Sequence, residues 1–296
     1  TGYNSVSTNL GRVRFYGTEL SLSSVNIDRK GFSWRTDFTY SYNMNRVLEL
    51  PDNGNPRNRI NGISVGDGSQ FGGIAEGERM GRIFGYVAER IIETQEEADA
   101  ARYDTQSRGY RRSDRRQIAG RKDIGDYEWL NRAGSARTAD GSEQINDEDM
   151  FLLGYVTPHS TGGMNNTFKY RNLSLSVYVD YALGHSVYNY MYTRGLQTSM
   201  GNCNWNLIYD ANDCWQKPGD KTDVPMLEVG GSYATTSNSL IDASYFAIKN
   251  ITVGYTLPKR WLKKIDIESL RIYATLDNIA MFNHMDGICL LYTSPS

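Results

Sequence analysis

The chain has 296 residues and a net charge of −2, and this charge balance argues against a nucleic-acid-binding protein. No window approaches the roughly 18 uninterrupted apolar residues of a membrane helix, which excludes a helical membrane protein. The 21 tyrosines against 9 phenylalanines suit strands that pass between two media, because tyrosine has an apolar ring and a polar hydroxyl. A membrane β-barrel is compatible with this composition, since its alternating strands have an unremarkable mean hydropathy.

Six segments in which apolar and polar side chains alternate follow one another along the chain. The clearest of them alternates Trp34 and Phe38 with Arg35 and Asp37. Because successive side chains of a strand point to opposite faces, each segment predicts a strand with one apolar and one polar face. In chain order the predicted strands are 16–24, 32–43, 164–170, 173–181, 251–257 and 270–276, with Tyr245 and Ala247 expected on the same face as Ile251, Val253, Tyr255 and Leu257.

The length of the segments favours strands that cross a membrane. Segment 32–43 has about the 9–11 residues that a tilted strand needs to span a bilayer. Aromatic residues such as Trp34, Tyr42, Tyr181 and Tyr255 lie near the ends of the apolar faces, where the girdles of a membrane barrel lie. The alternative is a soluble β-sandwich, in which the apolar faces pack into a shared core.

The connections between the strands alternate between short and very long. Segments 26–31, 171–172 and 259–266 are short, whereas 46–160 and 184–239 are long and polar. Membrane barrels have short periplasmic turns and longer external loops, so the long segments are expected outside the cell.

The first long segment must contain an even number of further crossings, because the strand before it rises and the strand after it descends. Segments 82–88 and 123–130 are the candidates, so the number is two or none. Six or eight strands cannot close a barrel without an edge, so we expect the chain to be part of a larger barrel. Residues 289–296, CLLYTSPS, look like a translated sequencing adapter and are left out of the fold prediction.

Several segments resemble, in order, the C-terminal half of SusC/RagA-like TonB-dependent outer-membrane transporters. The strongest match is SYFAIKNITVGYTLP at 244–258, followed by LRIYATLDNI at 270–279. The other matches are GTEL at 17–20 with FSW at 32–34, GY at 85–86 with IIETQEEA at 91–98, DMFLLGYVTP at 149–158 and WQKPGDKTDVP at 215–225.

The resemblance covers nearly all of residues 1–288 and implies an all-β fold. The chain is expected to be an antiparallel transmembrane β-barrel segment from a barrel of about twenty-two strands, with long extracellular loops. It further implies an N-terminal plug outside this chain and a location in the outer membrane of a Gram-negative bacterium.

Four aromatic residues of the second long segment are candidate substrate contacts: Trp205, Tyr209, Trp215 and Tyr233. Exposed aromatic rings in an external loop can stack on the apolar faces of sugars. The alternative is that they pack the loop onto itself. Cys203 and Cys214 are close enough in sequence for a disulfide in an oxidising compartment, and two free thiols are the other possibility.

The remaining polar clusters point to no catalytic or metal centre. A calcium-loop alignment with Ile145 at the eighth position places Thr138 first, Asp140 third, Ser142 fifth and Asp149 twelfth. Thr138 stands where the loop needs an acidic ligand, and Glu143 stands where it needs a glycine, so a calcium site is not predicted. The basic run 108–122 is interpreted as an external loop facing anionic lipopolysaccharide or an acidic glycan, and nucleic-acid binding is the alternative. His159, His185 and His284 have no zinc-like spacing, and no nucleophile motif occurs. We therefore predict no enzyme, no metal and no cofactor.

The resemblance implies active import of a nutrient, either an oligosaccharide or a peptide. The expected partners are a SusD-like surface lipoprotein, the TonB–ExbB–ExbD complex acting through the plug, and the lipid of the outer membrane. One alternative is a passive porin or structural surface barrel without a plug. The other is a secreted glycan-active β-sandwich protein, which would be soluble without detergent.

Overall fold

The computed structural model describes residues 11–64, 69–104, 122–132, 141–189, 192, 208–227, 237–263 and 267–284. The chain divides into two compact units. The first, called the sheet unit, comprises residues 14–45, 157–186 and 242–296; the second, called the loop unit, comprises residues 1–13, 46–156 and 187–241.

Sixteen strands and several short helices are present in the described ranges. The strands are β1 (Arg12–Arg29), β2 (Phe32–Glu49), β3 (Ile63–Ser64), β4 (Gln70–Phe71), β5 (Arg82–Gly85), β6 (Ala88–Ile91), β7 (Tyr103–Asp104), β8 (Tyr127–Trp129), β9 (Gln144–Ile145), β10 (Phe151–Tyr155), β11 (Ser160–Tyr170), β12 (Leu173–Leu183), β13 (Ser186–Tyr188), β14 (Leu240–Asp242), β15 (Tyr245–Thr256) and β16 (Arg271–Asn283). The helices are α1 (Gln95–Ala100), α2 (Lys259–Leu262) and the 3-10 helices Pro56–Asn58, Asp147–Asp149, Tyr209–Asp213 and Ser237–Ser239. Over these ranges no helix combines the length and the apolar character that a membrane span needs.

The long strands form one six-stranded sheet in the order β1-β2-β11-β12-β15-β16. They coincide with the six alternating segments, so the prediction of six strands is confirmed. Two tight turns join neighbours: Lys30-Gly31 between β1 and β2, and Arg171-Asn172 between β11 and β12. Gly31 has φ +90°, which a glycine adopts without strain because it lacks a Cβ atom.

Within the six-stranded sheet, β2 and β11 are direct neighbours, with Phe38 opposite Met164. The segments considered as extra crossings form short strands elsewhere. β5 pairs with β10 and β8 pairs with β6, each in a separate two-stranded sheet. Within the described ranges, the first long segment therefore adds no crossing to the six-stranded sheet.

The strand registers gather the apolar side chains on one face of the sheet, called the apolar face. Val177, at the middle of β12, lies opposite Asn166 of β11 and Ile251 of β15. Because paired residues of antiparallel strands share a face, the pattern continues from strand to strand. The larger apolar residues on this face include Trp34, Phe38, Met164, Phe168, Leu175, Val177, Val179, Ile251, Val253, Ile272 and Leu276.

The prediction that Tyr245 and Ala247 share a face with Ile251 is wrong. The register changes between Ile248 and Asn250, which leaves Lys249 as an extra residue in a β-bulge. A bulge shifts the alternation by one residue, so it exchanges the two faces on one side of it. Phe246 and Ile248 therefore lie on the apolar face, and Tyr245 and Ala247 lie on the opposite one.

The apolar face is exposed. Leu276 is 64% exposed and Val253 44%, while Trp34, Phe38 and Val177 are half-exposed. In the described part of the sheet unit, no apolar side chain on this face is buried. A β-sandwich would bury them in a shared core, so the sandwich alternative is wrong. So large an exposed apolar surface requires an apolar environment such as lipid.

A polar cluster made of Asn26, Trp34, Thr36 and Asn166 lies on the apolar face, near its end at the short turns. Asn166 Oδ1 accepts hydrogen bonds from Trp34 Nε1 at 3.0 Å and from the Thr36 hydroxyl at 2.7 Å. Asn26 Nδ2 donates to Thr36 Oγ1 at 2.6 Å. The Trp34 ring also stacks on Phe168, with centroids 5.6 Å apart and planes 21° apart. The cluster thus has the aromatic and polar character of a membrane interface.

The opposite face of the sheet carries hydrogen-bonded polar side chains. Ser176 Oγ donates to Asn165 Oδ1 at 2.8 Å, and Asn250 Nδ2 donates to Asp277 Oδ1 at 2.7 Å. Such cross-strand polar pairs are suited to a face that borders water, as the interior of a membrane barrel does.

The loop unit has its own small core. Tyr86, Tyr127, Trp129 and Ile145 are buried against one another, and the Tyr127 and Trp129 ring centroids lie 5.2 Å apart. The polar ends of the rings are satisfied: Trp129 Nε1 donates to Asp104 Oδ2 at 2.8 Å. This core shows that the described parts of the first long connection form folded structure.

Buried ion pairs accompany this core. Lys122 Nζ lies 2.7 Å from Glu128 Oε1, and the two side chains are 1% and 4% exposed. Glu78 pairs with the buried Arg59 at 2.8 Å and also with Arg82. Burial on its own raises the pKa of Glu78, but the hydrogen bond from Arg59 and the charge of Arg82 outweigh it, so this pKa is lowered overall.

Candidate functional site

The segment WQKPGDKTDVP folds into a closed turn within the loop unit. The Trp215 N–H donates to the Val224 carbonyl at 2.9 Å, which joins the two ends of the segment. The Asp220 carboxylate accepts hydrogen bonds from the N–H groups of Gln216 and Lys217, both at 3.0 Å. The aspartate thus organises the turn as an Asx motif does, and one carboxylate oxygen is fixed by the backbone.

The predicted substrate contacts have different environments. Trp215 is 2% exposed, whereas Tyr209 is 82% exposed. The burial of Trp215 fits the alternative in which this residue packs the loop onto itself, and the stacking role of Tyr209 stays a prediction. Trp205 and Tyr233 lie outside the described residues. Cys203 also lies outside them, so its disulfide with the half-buried Cys214 stays a prediction.

Gly125 packs directly against Trp215. It has φ +87°, and a Cβ atom at this position would lie 2.9 Å from Trp215 Cε3 and 2.5 Å from Met226 Cβ. The contact is on the six-membered ring, so the indole turns its Nε1 edge away from Gly125. Glycine is therefore required here both by the backbone conformation and by the close approach.

Replacing Gly125 by alanine should destabilise the turn around Trp215 by about 3 kcal/mol, from backbone strain together with overpacking. Gly219→Ala is the matched control, because Gly219 has φ +89° but nothing within 4 Å of its Cβ position. The control should lose only about 1–2 kcal/mol. Hydrogen exchange of the peptide covering residues 208–227 measures both losses, and equal losses would show that the Trp215 contact is unimportant.

A cavity of about 300 Å³ lies beside Trp215, within the loop unit. Ile91, Tyr127 and Trp215 supply its apolar lining. Burial raises the pKa of Tyr127 to about 12, so its hydroxyl stays protonated and donates to the carbonyl of Asp223. The charged part of the lining comes from β6, α1, the connection between them and the 215–225 turn.

The charged lining of the cavity is mostly acidic. Glu89, Glu93, Glu97, Asp220 and Asp223 face one guanidinium, that of Arg90. Arg90 is itself paired with Glu97 at 2.8 Å. The hydrogen bond from the Glu93 N–H, and further the charge of Arg90, lower the pKa of Glu97, so this carboxylate is ionised at neutral pH. The cavity therefore presents a negative potential.

No sequence signal identified this cavity, because its carboxylates are up to 134 positions apart and become neighbours only in the fold. The local sequence signal here is for the turn alone, since Pro218, Gly219 and Asp220 predict a tight bend but not the cavity beside it. The acidic residues near Ile145 are arranged differently from a calcium loop: Asp149 accepts the N–H groups of Asn146 and Arg132 at 3.1 and 2.8 Å. Thr138 and Asp140, and the basic run up to residue 121, lie outside the described residues.

Of the residues that the structure describes, no three His, Cys, Asp or Glu side chains are grouped closely enough to hold a metal ion. Lys122, the last residue of the basic run, is buried in its pair with Glu128 and is not part of an external basic surface.

Comparisons with known proteins relate the chain to outer-membrane receptors. No family model matches. TonB-dependent receptors P3 and P39 of Formosa agariphila are 26% and 28% identical to it over 97% of the chain, and the aligned regions make up 26% and 28% of these relatives. The chain thus spans about a quarter of the length of the curated relatives it matches.

Solved structures agree with the fold. The chain matches a structure of the RagAB peptide transporter with a TM-score of 0.66 and 19% identity, covering 97% of this chain and 28% of that one. A RagAB peptide importer in a closed-closed state matches with a TM-score of 0.64 and 20% identity, covering 93% and 26%. The chain is therefore similar to TonB-dependent receptors of the outer membrane, and its sheet has the fold of a segment of an antiparallel transmembrane β-barrel with long extracellular loops.

Proposed function

We propose that the receptor to which this chain belongs actively imports a nutrient across the outer membrane, driven by TonB. The observation that carries this proposal is the similarity to TonB-dependent receptors along 97% of the chain. The sheet supports it, because its exposed apolar face suits lipid and its polar face suits a hydrated passage. Import of this kind requires no covalent chemistry on the nutrient.

The nutrient is an oligosaccharide or a peptide, and a SusD-like surface lipoprotein assists its capture. The similarity to the RagAB peptide transporter favours a peptide. The folded loop unit supports a role in capture, since it holds a cavity next to aromatic side chains. The TonB–ExbB–ExbD complex acts through a plug that fills the barrel.

Uptake should depend on TonB. Cells that express the complete receptor with its lipoprotein are given radiolabelled peptides or oligosaccharides, and uptake is compared between cells with and without TonB. We expect uptake to fall to the level of receptor-free cells when TonB is absent, while immunoblots show unchanged receptor in the outer membrane. Equal uptake with and without TonB would contradict active import and indicate a passive pore.

A further inference from the structure

The apolar face ends at the short turns in a row of exposed apolar side chains, called the margin row. Tyr170 lies opposite Leu173, Leu173 opposite Tyr255, and Tyr255 opposite Ile272. These four side chains are between 39% and 61% exposed. The polar cluster around Asn166 lies farther into the sheet and has the character of a membrane interface, so the margin row lies at the level of the lipid headgroups.

A guanidinium group lies over one ring of the margin row. Arg171 Cζ is 5.3 Å from the centroid of the Tyr170 ring, so the side chain of Arg171 turns toward the apolar face. In the described part of the chain this guanidinium has no hydrogen bond or ion pair. Its N–H donors are therefore available to an acceptor outside the protein, and a phosphate oxygen is the acceptor that a headgroup offers.

The neighbouring connection has a second pair of this kind. Arg260 Cζ lies 5.9 Å from the centroid of the Trp261 ring, and Trp261 is 53% exposed. The Thr256 N–H donates to the Asn172 carbonyl at 2.9 Å, and Asn172 Nδ2 donates to the Thr256 carbonyl at 2.7 Å. These two hydrogen bonds join the β11–β12 turn to the start of the β15–β16 connection, so the two cation–aromatic pairs belong to adjacent turns.

The positive charge of these turns is not neutralised by the described residues. Lys259 and Lys263 lie on either side of the second pair, and both are exposed. Neither they nor Arg171 and Arg260 form an ion pair with a described acidic group. Of the described residues in the connection 257–270, Glu268 alone is acidic. Basic residues at a membrane surface attract anionic lipids, each contributing about fivefold in binding.

An acidic protein would also be attracted by this charge. The aromatic rings favour a lipid, because Tyr170 is continuous with the surface that suits lipid and Trp261 lies in the adjacent turn. Tyrosine and tryptophan are typical of the level at which headgroups meet acyl chains.

We propose that Tyr170, Arg171, Lys259, Arg260 and Trp261, together called the short-turn rim, bind the headgroup of an anionic phospholipid from the leaflet on the side of the short turns. The two guanidinium groups donate to the phosphate oxygens, Lys259 adds positive charge, and the rings contact the glycerol and the first acyl carbons. This inference goes beyond the proposed import function and is independent of it, since lipid binding needs neither TonB nor the nutrient.

The test counts the lipids retained by the complete receptor in detergent, by native mass spectrometry. The probes are phosphatidylglycerol, whose headgroup is anionic, and phosphatidylcholine with the same acyl chains, whose headgroup is zwitterionic. We expect phosphatidylglycerol to bind about fivefold more tightly or better, which corresponds to at least one basic residue at an anionic surface. Equal retention of the two lipids would overturn the proposal.

Two matched double variants locate the site. Arg171→Gln/Arg260→Gln removes two charges from the short-turn rim and should lower the preference to about twofold or less. Lys169→Gln/Arg271→Gln removes two charges from the polar face at the same end of the sheet and should keep the preference. An unchanged preference in the first variant, or an equal loss in both, would overturn the proposal.

A fluorescence measurement tests the same site without removing a charge. The complete receptor is placed in phosphatidylcholine vesicles that contain a small fraction of brominated phosphatidylglycerol or brominated phosphatidylcholine, and the difference from Trp261→Phe isolates the signal of Trp261. The anionic lipid should quench Trp261 more strongly, and added salt should reduce the difference because it screens the attraction. Equal quenching by the two lipids at low salt would contradict the proposal.

Discussion

Val177→Arg should destabilise the assembled barrel by about 2–4 kcal/mol, the cost of an arginine on the lipid face near the middle of a bilayer. Val177 lies next to the central residue of β12, on the apolar face opposite Ile251. Strands that include a charge at this depth insert poorly, because the guanidinium must leave water. Urea titrations of folding into lipid vesicles, followed by the gel mobility of folded and unfolded protein, measure the loss.

The adjacent residue gives the matched control. Ser176→Arg places the same charge on the polar face, at the expense of the 2.8 Å hydrogen bond to Asn165. We expect this variant to lose about 1 kcal/mol at most. If the two variants were equally destabilised, the assignment of the two faces to lipid and interior would be wrong.

Lys122→Met should destabilise the loop unit by about 3 kcal/mol, because it leaves the carboxylate of Glu128 buried without its closest cation. The remaining partners are Arg102, 3.7 Å away, and two backbone N–H groups. Hydrogen exchange of the β8 amides, or the rate of limited proteolysis of the loop unit, reports the change.

The double variant Lys122→Met/Glu128→Gln tests the cause. Removing both charges should restore at least half of the lost stability, since an uncharged pair of similar size has little desolvation cost. A double variant as unstable as the single one would mean that the lysine stabilises by packing and not by its charge.

Most of the sheet could be predicted from the sequence because its signal is local and repeated. Each strand has its own alternation, and Trp34 and Phe38 already identify an apolar face without knowledge of any partner strand. The bulge at Lys249 could not be predicted, because the segment before it alternates as regularly as the segment after it. Only the pairing with β12 reveals that Tyr178 and Val179 face residues two positions apart.

The candidate site was less predictable, for a different reason. An aromatic residue in a polar segment looks the same whether it is exposed, as Tyr209 is, or buried, as Trp215 is. Its environment depends on contacts such as that with Gly125, which is 90 positions away in the chain. The acidic cavity has the same origin, since β6 contributes Glu89 and the distant turn contributes Asp223.

The hydrogen bonds among Trp34, Thr36 and Asn166 also indicate how deeply the six-stranded sheet lies in the membrane. Lipid tails offer these groups nothing to bond, so the headgroup layer nearest the short turns should coincide with the row of the indole N–H. Eight positions farther along β2, Tyr42 is roughly 26 Å away along the strand, which is about 20 Å along the membrane normal for a strand tilted by roughly 40°. These two rows of side chains would then fix the depth of the protein in the membrane, and bilayers of other thickness would have to deform around it.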